Sequence, residues 1–459
     1  MSAIITLSLL AVLLLYLGLF KAKKALLPVS LLGLLAAIVL YSIQWDTDAE
    51  PLYSGMVLFD HFAVAFSILS LFITGLVFLL SRDYFDSISE HVAEYYALII
   101  FSLTGALLVV SFHNLAMLFI GIEIMSVALY ILVGIRKRDF SSNEAALKYF
   151  LMGAFSTGFL LFGITLIYGA TGSFDLTEIK NYLIANPHSI SPLFYSGILL
   201  LIIGLSFKVG AAPFHFWTPD VYEGAPILIT TFMSTVVKTA AFAGFLRLFL
   251  TCFVPLQDFW APVLLVITVL TLFIGNISAL AQQSFKRMLA YSSISHAGYM
   301  LFGILSIGAA SAGAIFVYSA AYSIASVVAF AVLILVKRSR GSEHFEAFNG
   351  LAAKNPYLAF TLSVAMLSLA GIPLTAGFVG KFMMFSGVLA NYHIVLLLLA
   401  VLNAAMGIYY YFRVIVAMYF RPADREEVTV NANYKAVLFI GALLTIAIGI
   451  FPSLLAGWL

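Results

Sequence analysis

Uninterrupted apolar runs, each about long enough to cross a bilayer, recur from one end of this chain to the other. They fall at 3–20, 25–43, 57–80, 95–111, 114–134, 145–170, 192–214, 226–250, 258–282, 288–306, 309–336, 356–388, 393–420 and 434–456. A helix needs ~20 such residues to cross ~30 Å of hydrocarbon. The runs are continuously apolar rather than alternating, so helices are expected and a barrel is not. The reading is an all-α membrane protein of about 14 transmembrane helices. Of 459 residues, 63% are hydrophobic and 10% charged, against roughly 25% charged in a soluble domain. A water-compatible surface cannot be built from that mixture, which excludes a soluble enzyme, a disordered scaffold and a nucleic-acid partner. The net charge of +2 is likewise too balanced for a polyanion partner. One cysteine, Cys252, excludes a disulfide framework, a zinc ribbon and a cysteine-ligated cluster.

The first run is expected to be a true span rather than a cleaved signal. Met1–Thr6 carries no positive charge, and Lys21, Lys23 and Lys24 follow the apolar stretch. Loop charges then fix the orientation. Alternate loops gather Lys21, Lys23, Lys24, Arg82, Arg136, Lys137, Arg138, Lys286, Arg287, Lys337, Arg338, Arg340, Lys354, Arg421, Arg425 and Lys435. The opposite loops hold Lys180 alone, beside Asp46, Asp48, Glu50, Asp175, Glu178 and Asp258. The positive-inside rule makes the first set cytoplasmic and puts both termini outside.

None of the polar stretches is long enough for a catalytic domain of its own, so the chemistry must lie within the membrane. Two segments stand out there: Phe207-Lys-Val-Gly-Ala-Ala-Pro-Phe-His-Phe-Trp217 and Ala370-Gly-Ile-Pro-Leu-Thr-Ala-Gly-Phe-Val-Gly-Lys381. Each sets glycine and proline beside a lysine, which breaks a helix. Pro213 and Pro373 are expected to make the breaks. Paired interruptions of this kind point to inverted repeats around a midplane pathway. The expected plan is a three-helix segment at 1–94 and two five-helix repeats, 95–250 (spans 4–8) and 251–420 (spans 9–13). A C-terminal helix at 421–459 completes it, with spans 7 and 12 broken.

Charges outside the loops are few: Glu123, Lys148, Lys208, Lys238, Arg247, Lys381 and Arg413. A charge at the bilayer centre costs roughly 2.5–3.5 kcal/mol, so such residues mark ion pairs, snorkelling side chains or a transport path. Arg247 and Arg413, near helix ends, read as snorkelling. Lys238 and Lys381 are too deep for that, and Glu123 alone cannot neutralise three central lysines. An uncompensated lysine in a low-dielectric site gives up its proton readily, which makes it a proton carrier. The expected row is Glu123–Lys208–Lys238–Lys381, with Glu123 holding Lys208 or Lys148 protonated when close. His215 and His296 suit the gaps in it, whereas His61, His91, His188, His344 and His393 read as solvated. Thr375–Lys381 lacks the first glycine of a phosphate loop, and Phe382 stands where that loop needs Ser or Thr. No G-x-G-x-x-G, H-E-x-x-H or C-x-x-C occurs, so no flavin, haem or metal is indicated.

These motifs, with Phe207–Pro226, Lys286-Arg-Met-Leu-Ala-Tyr-Ser-Ser-Ile-Ser-His-Ala-Gly-Tyr299 and Gly121-Ile-Glu123, resemble those of the antiporter-like subunits of respiratory complex I. The resemblance runs along nearly the whole chain, in order. Lys381, where the M-type branch typically carries glutamate, and the end after 14 spans without a lateral helix place it nearest the N-type branch. The resemblance implies a proton-translocating membrane-arm subunit of NADH:quinone oxidoreductase, in a bacterial inner membrane. It implies pathway roles for Glu123, Lys208, Lys238 and Lys381 and accessory roles for Lys148, His215 and His296. It further implies other membrane-arm subunits and lipid as partners, with NADH, FMN, iron–sulfur clusters and quinone held by partner subunits and no cofactor here. Two other readings stand beside it: a subunit of a multi-subunit cation/proton antiporter, and a structural spacer without its own proton path.

Overall fold

The computed structural model describes residues 1–45, 50–86, 88, 91–308, 310–392, 394–422 and 427–459. Asp46, Asp48, His393 and Arg425, counted above, lie outside the described residues. The chain opens with α1 (Ser2–Leu19), α2 (Lys23–Ile43) and α3 (His61–Asp86). Then come α4 (Val92–Ser111), α5 (Leu115–Val133), α6 (Phe140–Thr171), the short α7 (Leu176–Ala185), α8 (Pro192–Val209) and α9 (Trp217–Gly224). Next, α10 (Ile227–Phe232) passes through a π turn at Met233–Val237 into α11 (Lys238–Leu248). A second π turn leads to α12 (Gln257–Leu280). The rest is α13 (Phe285–Leu305), α14 (Ser311–Arg340), α15 (Leu351–Lys354), α16 (Pro356–Ala370), α17 (Ala376–Asn391), α18 (Ile394–Phe420), α19 (Ala432–Ile450) and α20 (Ser453–Ala456).

Twelve described helical stretches are long and apolar enough to cross a membrane. One of them, Ile227–Leu280, has 54 residues. At ~1.5 Å per residue it is more than twice the bilayer core, so it counts as two spans. Adding the interrupted pair α16 and α17 gives the fourteen expected. Among the described residues there is no β-strand, only isolated bridges such as Asn114 with Asp175.

The ends are set locally. The side chains of Asn114, Asp139, Asp175, Ser191 and Ser284 accept backbone N–H groups at the starts of α5, α6, α7, α8 and α13. α7 buries Leu176, Ile179 and Leu183 on one face and lies as an amphipathic cap between two spans. The bundle is layered: the most apolar window of α14 is 100% buried and that of α13 94%, against 28% for α2. α13 and α14 therefore form the inner layer on which the candidate site is built. α1, α2, α6, α18 and α19 form an outer shell with apolar side chains facing outward.

Both expected breaks are present, but glycine rather than proline makes them. α8 stops at Val209 because Gly210 takes φ +74°, three residues before Pro213. α16 stops at Ala370 because Gly371 takes φ +82°, two residues before Pro373. Both are left-handed caps whose backbone N–H groups turn back onto carbonyls of the last turn, Phe207 O in α8 and Leu367 O in α16.

Candidate functional site

Each central lysine is held by a particular break or bulge in the helices. Lys208 sits in the last turn of α8, at the negative end of that half-helix's dipole. Its Nζ donates to Ser126 Oγ on α5 at 2.9 Å. Glu123 lies one turn before Ser126 on α5. Its buried Oε1 has no hydrogen-bond partner among the described residues. Among the described residues no ion pair joins Glu123 to Lys208 or to Lys148, so the expected direct contact is not made.

Lys238 is the first residue after the π turn of span 8. A π turn rotates the following side chain out of the regular helical register and is frequent at functional positions. Here it turns Lys238 onto α13, where Nζ donates to Ser293 O at 2.7 Å and to Ser293 Oγ.

Lys381 lies in the second turn of α17, folded back over the break. Its Nζ donates to Leu369 O at 3.0 Å and Ala370 O at 2.8 Å, carbonyls freed where α16 ends. It also lies 5.0 Å from the centre of the Tyr299 ring. A Cβ at Gly371 would come within 2.7 Å of Lys381 Cδ, so glycine is needed both for its φ and for this approach. The three lysines are 3–7% exposed, and every hydrogen-bond acceptor described for them is a neutral oxygen.

α13 joins the second and third of these lysines. Ser293 holds Lys238, His296 follows one turn later, and Tyr299, under Lys381, one turn after that. His296 Nδ1 is 2.7 Å from Tyr318 OH on α14, and Nε2 is 3.0 Å from Tyr411 OH on α18. A cavity of about 10 Å³ adjoins His296, Tyr318, Tyr322, Ser368 and Leu369. That is at the lower bound for one water molecule. Leu369, in its lining, also supplies a carbonyl to Lys381. His215 lies in the turn after Gly210, 8% exposed, with Nδ1 unpartnered among the described residues.

Lys148 is not part of this buried row. Its Nζ lies 2.8 Å from both Glu144 and Asp220, on the wall of a cavity of about 590 Å³ at the end of the bundle rich in Lys and Arg. There Arg287 pairs with Asp220 at 3.1 Å and with Glu223, and Lys337 pairs with Glu343. Burial pushes the Glu343 carboxyl up, but Lys286, Lys337 and Arg136 outweigh it and hold it below the usual carboxylate range.

Two expectations about basic residues fail. Lys286 was counted with the loop charges, yet it is 2% exposed. Its Nζ donates to Glu223 O at 2.7 Å and Ala225 O at 2.6 Å, because α13 starts at Phe285, three residues before the expected run, and so takes Lys286 into the bundle. Arg247 does not snorkel. It is 5% exposed, paired with Asp60 at 2.5 Å and 4.8 Å from the Phe62 ring, because α3 begins beside it. Arg413 does reach outward, to Leu280 O, Gln282 O and Gln283 Oε1.

Sequence reasoning missed Ser126, Ser293, Tyr318 and Tyr411, the groups that solvate the row. It also missed His113, which is 8% exposed with Nε2 3.1 Å from Thr177 Oγ1. Ser and Tyr inside an apolar run carry no signal of their own. The spacing Ser292-Ser293-x-x-His296-x-x-Tyr299 on one helix face was the available clue.

Residues 112–407 match the family described as "NADH:quinone oxidoreductase/Mrp antiporter, TM". The chain is 43% identical to NADH-quinone oxidoreductase subunit N of Cytophaga hutchinsonii, over 99% of this chain and 98% of that protein. Its fold is similar to a chain of respiratory complex I from Thermus thermophilus with bound aureothin, at TM-score 0.85 and 33% identity. That match covers 99% of this chain and 98% of the other. It also shares its fold with a chain of the Mrp complex of a Dietzia species, at TM-score 0.86 and 18% identity, covering 100% and 95% of the two chains.

Proposed function

Because this chain belongs to the antiporter-like family shared by NADH:quinone oxidoreductase and the Mrp antiporters, and groups with subunit N relatives, we propose that it moves protons in the membrane arm of an NADH:quinone oxidoreductase. Quinone reduction elsewhere in that complex drives it. NADH, FMN, iron–sulfur clusters and quinone belong to partner subunits, and this chain contributes the proton path alone. The end rich in Lys and Arg faces the cytoplasm, the termini face the other side of a bacterial inner membrane, and the membrane-arm neighbours and lipid cover the outer shell. Segments 95–250 and 251–420 act as inverted halves, each supplying one broken helix.

In this reading protons enter from the charged cavity at the cytoplasmic end. Lys208 takes one up while Glu123 favours its charged form, and passes it to Lys238 when that influence weakens. From Lys238 the proton moves by Ser293 and His296 to Lys381, and from there to the other side of the membrane. Lys148 serves at the entrance and His215 lines the first break. The observation that carries the reading is that, among the described residues, the three buried lysines hydrogen-bond to neutral oxygens alone. A lysine tied to a carboxylate stays charged, whereas one held by hydroxyls and carbonyls can cycle.

The test is proton translocation by the assembled complex in vesicles, alongside its electron transfer. Lys238→Met keeps length and apolarity and should abolish translocation. Lys238→Arg should fail as well, since a guanidinium does not deprotonate in a usable pH range. Normal translocation with either variant removes Lys238 from the path.

A further inference from the structure

Lys381 meets two kinds of partner. Its Nζ donates to Leu369 O at 3.0 Å and Ala370 O at 2.8 Å, and it stands 5.0 Å from the centre of the Tyr299 ring. That ring is 2% exposed. It packs edge to face on His296, one turn before it in α13, and on Phe385, one turn after Lys381 in α17, with centres 6.1 and 6.0 Å apart. The contact of α13 with α17 thus fixes where the ring stands. The other row lysines are placed differently: Lys208 lies 6.0 Å from the ring of Phe207, its neighbour in the chain, and Lys238 meets Ser293.

The two kinds of partner act differently on a proton. A carbonyl accepts from an amine as from an ammonium, so two carbonyls can hold Lys381 in either form. A ring face carries the negative end of a quadrupole, which attracts a cation and has little hold on a neutral amine. The ring therefore bears on the choice between the two forms, while the carbonyls bear on where the side chain lies.

From this arrangement we infer that Tyr299 is a positioning residue for Lys381, its ring face favouring the charged form of that lysine and so setting how readily it takes up and gives up a proton. The inference deepens the proton-path role proposed for Lys381 and rests on it. Tyr299 itself neither takes nor passes a proton, and its hydroxyl plays no part. A carboxylate in its place would hold the ammonium charged, whereas a ring has no net charge and tilts the balance by a small amount. α17 packs on α13, α14, α16, α18 and α19. The other titratable side chains at this end of the row are His296 from α13, Tyr318 from α14, and Tyr410 and Tyr411 from α18. Residues 358–370 of α16 and 436–450 of α19 include none.

The experiment uses the intact complex with ¹⁵N-labelled lysine. The infrared difference between wild type and Lys381→Met isolates the ammonium bands of this one side chain, followed against pH. Translocation per electron is measured on the same samples. Phenylalanine and its mono-, di- and trifluoro derivatives, placed at position 299, keep the ring and its shape while fluorine drains the ring face of electron density. Tyr299→Phe should titrate close to wild type. Each added fluorine should move the loss of the ammonium bands to lower pH. Tyr299→Leu, with no ring, should move it by about one pH unit. The alkaline limb of translocation should follow the bands in every case.

Ammonium bands that ignore the number of fluorines overturn the inference and leave the proton-path reading standing. So does a shift in Tyr299→Phe as large as that in Tyr299→Leu, which would put the effect in the hydroxyl. Bands that follow the fluorines while Lys381→Met translocates fully keep the ring's effect on the charge and overturn the path through Lys381. Should Tyr299→Leu fail to assemble, the fluorinated series decides, because it keeps the shape of the ring.

Discussion

Lys148 and Lys381 are both lysines on helices of one bundle, and their surroundings differ in one respect that decides what each can do. Lys148 sits 2.8 Å from two carboxylates on an open, charged cavity. Lys381 is 6% exposed and held by two carbonyls and an aromatic ring, with no carboxylate bound to it among the described residues. The same contrast separates two other cations of that cavity from the buried row: Arg287 and Lys337 have acid partners, while Lys208 and Lys238 have serines. A carboxylate partner locks a cation in its charged form. Neutral oxygens stabilise it enough to be occupied and leave its proton free to move on.

The sharpest way to break that comparison is to remove one lysine from each region. Lys381→Met should abolish proton translocation while electron transfer continues, and Lys148→Met should leave a substantial part of it. Equal losses in a vesicle assay would erase the distinction between the two regions. Next in size is Asp60→Asn, which leaves Arg247 buried without its partner. A broken buried pair costs roughly 3–5 kcal/mol. With Asp60 34% exposed, the lower end is expected, read as a reduced Tm and a reduced yield of assembled complex. This pair is the structural counter-example within the membrane: a buried cation that has an acid and therefore only packs.

Glu123→Gln tests the boundary between the two kinds of site. Assembly should be near normal, because the Lys208 ammonium keeps Ser126 as an acceptor and can shed its proton. Translocation should fall strongly, and Glu123→Asp should lose less. Disappearance of the subunit from the membrane in Glu123→Gln would instead make Glu123 a packing group.

The smallest effect is expected at Glu343. Its carboxyl pKa is lowered in the folded protein, so its contribution is fully present above the ordinary glutamate value of about 4.3. It is lost as pH falls through the lower, folded value. Glu343→Gln should therefore lower Tm at pH 7, and the difference from wild type should vanish under more acid conditions. Partly exposed pairs of this kind contribute about 1 kcal/mol or less. A constant difference at every pH would show that the lost group acts through shape rather than charge.

Much of the architecture was legible in the residues because its causes are local. A backbone in hydrocarbon must satisfy its own hydrogen bonds, so a run such as Ser311–Val336 can only be a helix. The scarcity of charge singled out Glu123, Lys208, Lys238 and Lys381 before any packing was known. The glycines next to Lys208 and before Lys381 marked where two helices stop. The reading erred by assigning the stops to Pro213 and Pro373, because proline forbids a regular helix whereas glycine supplies the left-handed cap that ends one.

What no run of residues could show is which oxygen meets which lysine. Ser126 is 82 residues from Lys208, and Ser293 is 55 from Lys238. Tyr411 is 115 residues from His296. Those partners exist because α5, α13, α14 and α18 pack together, and the pairing follows from the joint shape of many helices. For the same reason Lys286 and Arg247, alike as basic residues at helix ends, proved to be buried, one on carbonyls and the other on Asp60. Local chemistry determined that this chain crosses the membrane with a few costly charges inside it. Tertiary packing decided which of those charges are tied to an acid and which are held by neutral oxygens, because that depends on contacts between segments distant in sequence.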